Sequence, residues 1–219
     1  MNQFMLFAVI AMLLSLGQGA PPISTRETTS IESFKTHFND IMALISKEEI
    51  QNITYEHLKT DEEFKAAIQY MQSKEWLDLI ETIRGKSEWI ALKKFLKDTS
   101  IDVDVGIKCI ERLFENVTLH LEPQIPPPKK SLKLFLIDVE QSLPSMKILN
   151  YLQEQVTKGV NFNVLFDRLS SDESRQLVQS VLALPEIKRV LKELADMGVN
   201  LLDVLSLMYM HFGWGEMAF

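Results

Sequence analysis

Side chains able to do acid–base or nucleophilic chemistry are few in this sequence. Histidine occurs four times, as His37, His57, His120 and His211, and cysteine once, as Cys109. The histidines form no pair at helical spacing, which a helical metal site or an oriented general base would need. Glu56 stands beside His57, but adjacent positions of a helix point apart. HExxH, GxSxG and glycine-rich phosphate loops are absent from the chain. Cys109 lies among Ile107, Ile110 and Leu113, surroundings that suit a buried small hydrophobe better than an activated thiolate. These residues point to a protein that is not an enzyme and carries neither a cofactor nor a catalytic metal.

Charge and composition narrow the classes further. The formal net charge is −7 and the pI about 5.2, against the clustered Lys and Arg that phosphate contacts require, so nucleic acid is not an expected partner. A single cysteine permits no intramolecular disulfide. Roughly 200 residues can bury an adequate core without one. At the amino end, Phe4 to Leu16 is an apolar run followed by Gly17, Gly19 and Ala20. It is too short for a bilayer, which needs roughly 20 apolar residues, and has the form of a secretory signal cleaved after Gly19. The expectation is a secreted, extracellular protein. Two sequons, Asn52-Ile53-Thr54 and Asn116-Val117-Thr118, make Asn52 and Asn116 the candidate glycosylation sites.

The elements that must position any site come from a repeat. Sliding the chain by 98 positions aligns Asp40–Phe114 with Asp138–Phe212 without a gap. Identities include Asp40/Asp138, Ile50/Ile148, Phe64/Phe162, Ser73/Ser171, Glu88/Glu186 and Leu96/Leu194. Apolar residues also coincide, as in Ile68/Phe166, Met71/Leu169 and Ile83/Val181. Self-similarity at a fixed period is the mark of stacked structural units. The expected organisation is a signal peptide at 1–19 and an N-terminal extension at 20–33. A helical sub-repeat at 34–118, a Pro-rich linker at 119–130 and a second sub-repeat at 131–212 follow. An aromatic tail at 213–219 completes the chain. The linker holds Pro123, Pro126, Pro127 and Pro128, which no helix tolerates in its interior.

Within each copy the signals are helical, and the fold class is all-α, with five or six short helices per sub-repeat. Ser46-Lys47-Glu48-Glu49 and Thr60-Asp61-Glu62-Glu63 have capping-box form. Ser73 and Ser87 are further candidate N-caps, Pro144 and Pro185 suit a first turn, and Gly198 suits a left-handed C′ position. Trp76, Leu77, Leu79, Ile80 and Ile83 spread over a wide arc of one helix. Such a helix must bury several faces. They either all pack as plain core, or one face packs while another lines an interior space. Periodicity does not separate the two readings.

The order FNDIMALISKEEI, then Tyr55 to Phe64 (Y-x-x-L-x-T-D-x-E-F), AAIQYMQSKEW and SEWIALKKFLKDTSIDVD resembles the insect allergen-related repeat family. Its members include cockroach allergen, mosquito midgut and butterfly nitrile-specifier proteins. The second copy carries the same order in SSDESRQLVQSVLALPEIKRVLKELADMGVNLLDVL. The resemblance spans about residues 30 to 212. It implies a ring-like arrangement of short helices from two tandem sub-repeats, enclosing a hydrophobic cavity occupied by fatty acids or phospholipids, in a protein made in the gut. The lipid-binding candidates are apolar residues at matched positions. They are Phe64, Ile68, Ile80, Ile83, Leu96 and Ile110 in the first copy, and Phe162, Phe166, Val178, Val181, Leu194 and Met208 in the second. Ordinary helix–helix packing is the competing role for each.

The carboxyl end, MYMHFGWGEMAF, leaves Trp214, Met217 and Phe219 beyond the repeat. These residues either fold back over the core, form a flap, or touch a membrane. The functional expectation is a carrier of fatty acids or phospholipids in the gut lumen or at the microvillar surface, with transient membrane contact. The alternatives are a membrane-active defence protein and a structural microvillar or peritrophic component.

Overall fold

The computed structural model describes residues 36–37, 39–99, 101, 103, 128–157 and 163–217. The proposed signal peptide, Cys109, Ile110, Asn116, Phe162, Phe219 and most of the Pro-rich linker lie outside the described residues. Among those described there is no strand. A short helix α1 (residues 39–44) is followed by α2 (Lys47–Thr60), α3 (Glu62–Met71), α4 (Lys74–Arg84) and α5 (Ser87–Asp98). Beyond the prolines come α6 (Lys133–Ser142), α7 (Ser145–Thr157), α8 (Asn163–Leu169), α9 (Asp172–Leu182), α10 (Pro185–Asp196) and α11 (Leu201–His211). Displaced by 98 positions, α4 lands on α9 and α5 on α10, end for end. No helix of the described residues is long and apolar enough to cross a membrane.

Local chemistry accounts for the helix limits. Helix α4 begins at Ser73, whose hydroxyl accepts from the Trp76 N–H at 3.3 Å. At the matched place before α9, Ser171 accepts from the Ser174 N–H at 3.2 Å. Each cap satisfies an amide that has no partner within its own helix. Ser46 caps α2 in the same way, accepting from Glu49 N–H. Two expected caps stand elsewhere. Asp61, not Thr60, caps α3 and accepts from Phe64 N–H at 3.0 Å. Thr60 is still in the last turn of α2, with its hydroxyl donating to the Glu56 carbonyl at 2.8 Å. Ser87 is the first residue of α5 rather than its cap, because the extended residue there is Lys86. Pro185 opens α10 as expected. Pro144 sits one place before α7, where its carbonyl accepts the first helical bond from Ile148 N–H at 3.0 Å.

Two helices stop through a left-handed glycine. After α10, Gly198 (φ 89°) donates to Ala195 O at 2.9 Å and Val199 donates to Leu194 O at 2.8 Å. After α11, Gly213 (φ 67°) and Trp214 make the same pair of bonds to Met210 O and Tyr209 O. This is the Schellman arrangement, in which the residue after the glycine packs back on the helix. In the first half, Ile101 N–H donates to Leu96 O at 2.8 Å, the counterpart of the Val199–Leu194 bond.

The halves are interlocked rather than stacked side by side. Helix α4 packs on α10, and α5 packs on α9. Exchanging the two copies turns one contact into the other, so the interface has an approximate twofold character. A second exchange joins the outer helices. Helix α2 packs on α6. Its counterpart is a cluster in which Ile41 of α1 meets Ile148 and Leu152 of α7. The chain leaving the prolines is stitched to both halves: Ser131 N–H donates to Glu63 O at 3.1 Å and Leu132 N–H to Met197 O at 2.8 Å. Arg189 of α10 pairs with Glu75 of α4, Lys86 with Glu186 at 2.7 Å, and the Arg168 guanidinium lies 4.7 Å over the Phe95 ring.

Gly198 is held by two demands at once. Its φ is positive, and a Cβ there would stand 3.2 Å from Lys133 Cβ, at the start of α6. Gly213 has a positive φ but open space around it. Gly198→Ala should therefore destabilise the protein by about 2 kcal/mol and Gly213→Ala by about 1 kcal/mol. Urea unfolding midpoints check this; an equal or smaller loss at Gly198 would mean that the close approach to α6 contributes nothing.

Candidate apolar ligand site

Among the described residues, the largest buried cluster grows from α3. Phe64, Ala67 and Ile68 stand at i, i+3 and i+4, one face of a helix, and all three are essentially inaccessible to solvent. Trp76 of α4, Leu132, Phe135 of α6 and Met197 after α10 close around them. The Phe64 and Phe135 ring centres lie 4.7 Å apart. Residues from both halves thus form one core. Ile80 and Leu194 pack against this cluster from its edge and stay partly exposed.

A second cluster lies at the other end of the chain. Tyr209, Phe212 and Trp214 are buried together, with Phe166, Val178 and Met208 packed against them and only partly covered. The aromatic tail folds back here: the Trp214 indole N–H donates to Ser170 O at 2.8 Å. Trp214 therefore covers core, the first of the tail readings, and Met217 packs against the cluster.

The candidate residues divide accordingly. Phe64 and Ile68 are the centre of the first cluster, with Ile80 and Leu194 on its rim. Phe166, Val178 and Met208 are the rim of the second. Ile83 and Val181, matched positions on α4 and α9, are buried, and Leu96 near the end of α5 is half-buried. Ile110 and Phe162 fall outside the described residues. Seven of the described candidates thus gather at two places, and Ile83, Val181 and Leu96 belong to neither cluster. The wide arc on α4 narrows, since Trp76, Leu79 and Ile83 are buried whereas Leu77 is 55% exposed. Asn52, the described sequon acceptor, is exposed on α2.

Polar side chains mark the joints between halves. His57 near the end of α2 lies between two carboxylates, with Nδ1 3.0 Å from Asp61 Oδ2 and Nε2 2.8 Å from Asp138 Oδ2. At the exchanged joint, the Tyr151 hydroxyl donates to Asp40 Oδ2 at 2.7 Å, and His37 Nδ1 is 2.8 Å from the same hydroxyl. Burial and the Asp40 carboxylate hold the Tyr151 phenol well above its usual pKa. The Lys86 hydrogen bond holds the Glu186 carboxyl below its usual range. Lys130 reaches back to Glu193 at 3.2 Å, and its ammonium lies 3.5 Å over the Tyr70 ring. Among the described residues, no group of three or more His, Cys, Asp or Glu side chains is placed to hold a metal.

Sequence reading missed the carboxylates around His57. Glu56 drew attention as its neighbour, but the partner on its own segment is Asp61, one helical turn further on. That spacing was visible. Asp138 was visible only as half of the identity Asp40/Asp138, which carried no hint that each aspartate docks the helix of the other copy.

The model of a family described as insect allergen related repeat, nitrile-specifier detoxification, matches residues 33–205. A curated relative, Protein G12 of Anopheles gambiae, is 19% identical over 215 residues, covering 94% of this chain and 97% of that protein.

Centre and rim positions should respond differently to truncation. Phe64→Ala empties a fully enclosed site and should cost about 3–5 kcal/mol. Val178→Ala, on a half-open rim, should cost about 1 kcal/mol. Chemical denaturation of both variants checks the pair, and a large loss at Val178 would assign it to core packing.

Proposed function

The chain belongs to the insect allergen related repeat family, and from that premise we propose that it is a secreted, non-enzymatic carrier of fatty acids or phospholipids. Its cargo occupies an apolar helical interior, and its place of action is the gut lumen or the microvillar surface. One observation carries the reading. Ile80, Leu194, Phe166, Val178 and Met208 pack against buried clusters on one side while part of each stays uncovered. Apolar surface left half-open beside a rigid core is what an acyl chain needs.

The energetics suit such a ligand. Each CH₂ moved out of water contributes about 0.8 kcal/mol without any directional partner. Selectivity then depends on the volume available and on a few polar groups near the opening. The acidic surface contributes little to a neutral acyl chain. It does disfavour tight adsorption to anionic membranes, so exchange with lipid surfaces would be transient.

Mass spectrometry of organic extracts from the purified protein tests the proposal, beside a helical secreted protein that binds no lipid. Near-stoichiometric fatty acid or phospholipid is expected. Removing it should lower the melting temperature, and adding ligand at about a hundredfold over its Kd should restore about 2.7 kcal/mol. Lipid at the control level, unchanged after incubation with excess fatty acid, would sink the carrier reading and leave a structural role.

A further inference from the structure

We propose that His57 is a proton-controlled latch between the two halves, closed when its imidazole carries both protons. Asp61 and Asp138 present carboxylate oxygens to its two ring nitrogens, at 3.0 and 2.8 Å. An ionised carboxylate only accepts hydrogen bonds. Imidazolium donates to both at once. Neutral imidazole has a single N–H and must turn a lone pair toward the second carboxylate.

Two features of the surroundings bear on the bond that a neutral imidazole would lose. The side chain is only 10% exposed, so water replaces a lost bond poorly on the imidazole side. Asp138 is about half exposed and recovers part of its solvation. His57 also lies in the last turn of α2, where the helix carbonyls attract a cation. The charged groups that face the ring among the described residues are Asp61, which caps α3, and Asp138 of α6. Its other close neighbours are the rings of Phe64 and Phe135, with centres at 5.4 and 5.7 Å. One proton therefore ties the end of α2, the start of α3 and the first helix of the other half together. It does so directly above the largest buried cluster.

The exchanged joint is built differently. The position matching His57 is Gln155, also buried, which does not titrate. There the Tyr151 hydroxyl donates to Asp40, and His37 Nδ1 lies 2.8 Å from the phenol oxygen. Because only imidazolium can donate to both carboxylates, the latch contributes on the acid side and is lost as the imidazole gives up a proton. The proposal does not depend on the nature of any cargo.

Urea unfolding of the full chain and of His57→Gln, at about pH 5.5 and about pH 8.5, tests the latch. Glutamine already occupies the matched buried position, and it donates to one carboxylate without titrating. The other histidines are common to both proteins, so the difference isolates position 57. The wild-type advantage in the folding equilibrium constant should fall about tenfold between the two pH values. Asp138→Asn, which removes the far negative charge and can turn a donor toward the ring, should flatten the pH dependence similarly. An advantage that does not change with pH would overturn the proposal. Should the variants not fold, ¹⁵N-histidine spectra of the wild-type protein decide. Two His57 ring N–H signals at the lower pH and one at the higher support the latch, and one signal throughout refutes it.

Discussion

Short amphipathic helices cannot stand alone, and everything else in this protein follows from where their apolar faces go. The longest described helix, α2, has 14 residues, and α8 has only 7. Isolated helices below about 12–15 residues are marginal in water. Each therefore persists only by packing, and for α2, α4 and α5 a principal partner lies in the other half. Neither copy can close its own core, because its apolar faces are complementary to those of its counterpart. The repeat is the reason such complementarity is available twice.

Interlocking also dictates where polar groups must be buried. A helix end brought beneath a helix from the other half loses water, and its amides, carbonyls and side chains need replacements. Asp61 answers this most economically: its backbone N–H closes α2 by donating to His57 O, one carboxylate oxygen caps α3, and the other meets His57. Asp40 and Asp138 perform the same docking task with different partners, a phenol in one joint and an imidazole in the other. The halves thus share a plan while differing in chemistry.

The same arrangement grades the apolar residues. Positions that face across the interlock, such as Phe64, Ile68, Ile83 and Val181, are enclosed. Positions one turn away, such as Ile80, Val178 and Leu194, touch the clusters with one side only. Packing density in the enclosed sites fixes the fold, whereas the half-open sites are where an apolar ligand can still gain contact.

Much of this was legible in the residues themselves. The all-helical class, the caps at Ser46 and Ser73, and the stop at Gly198 are local matters, settled within one helical turn. The register of 98 positions was equally plain, since α4 and α9 begin and end at matched residues. Thr60 and Ser87 misled because a cap is defined by which residue is extended. Competition between adjoining helices decides that within one position. What only the tertiary structure decided is which surfaces meet: periodicity tells that Ile80 and Phe64 are both apolar, not that one is enclosed and the other half-open. Nor could it pair His57 with Asp138, 81 positions away. Sequence spacing determines which residues share a face of a helix, but the partner of that face is chosen by long-range packing.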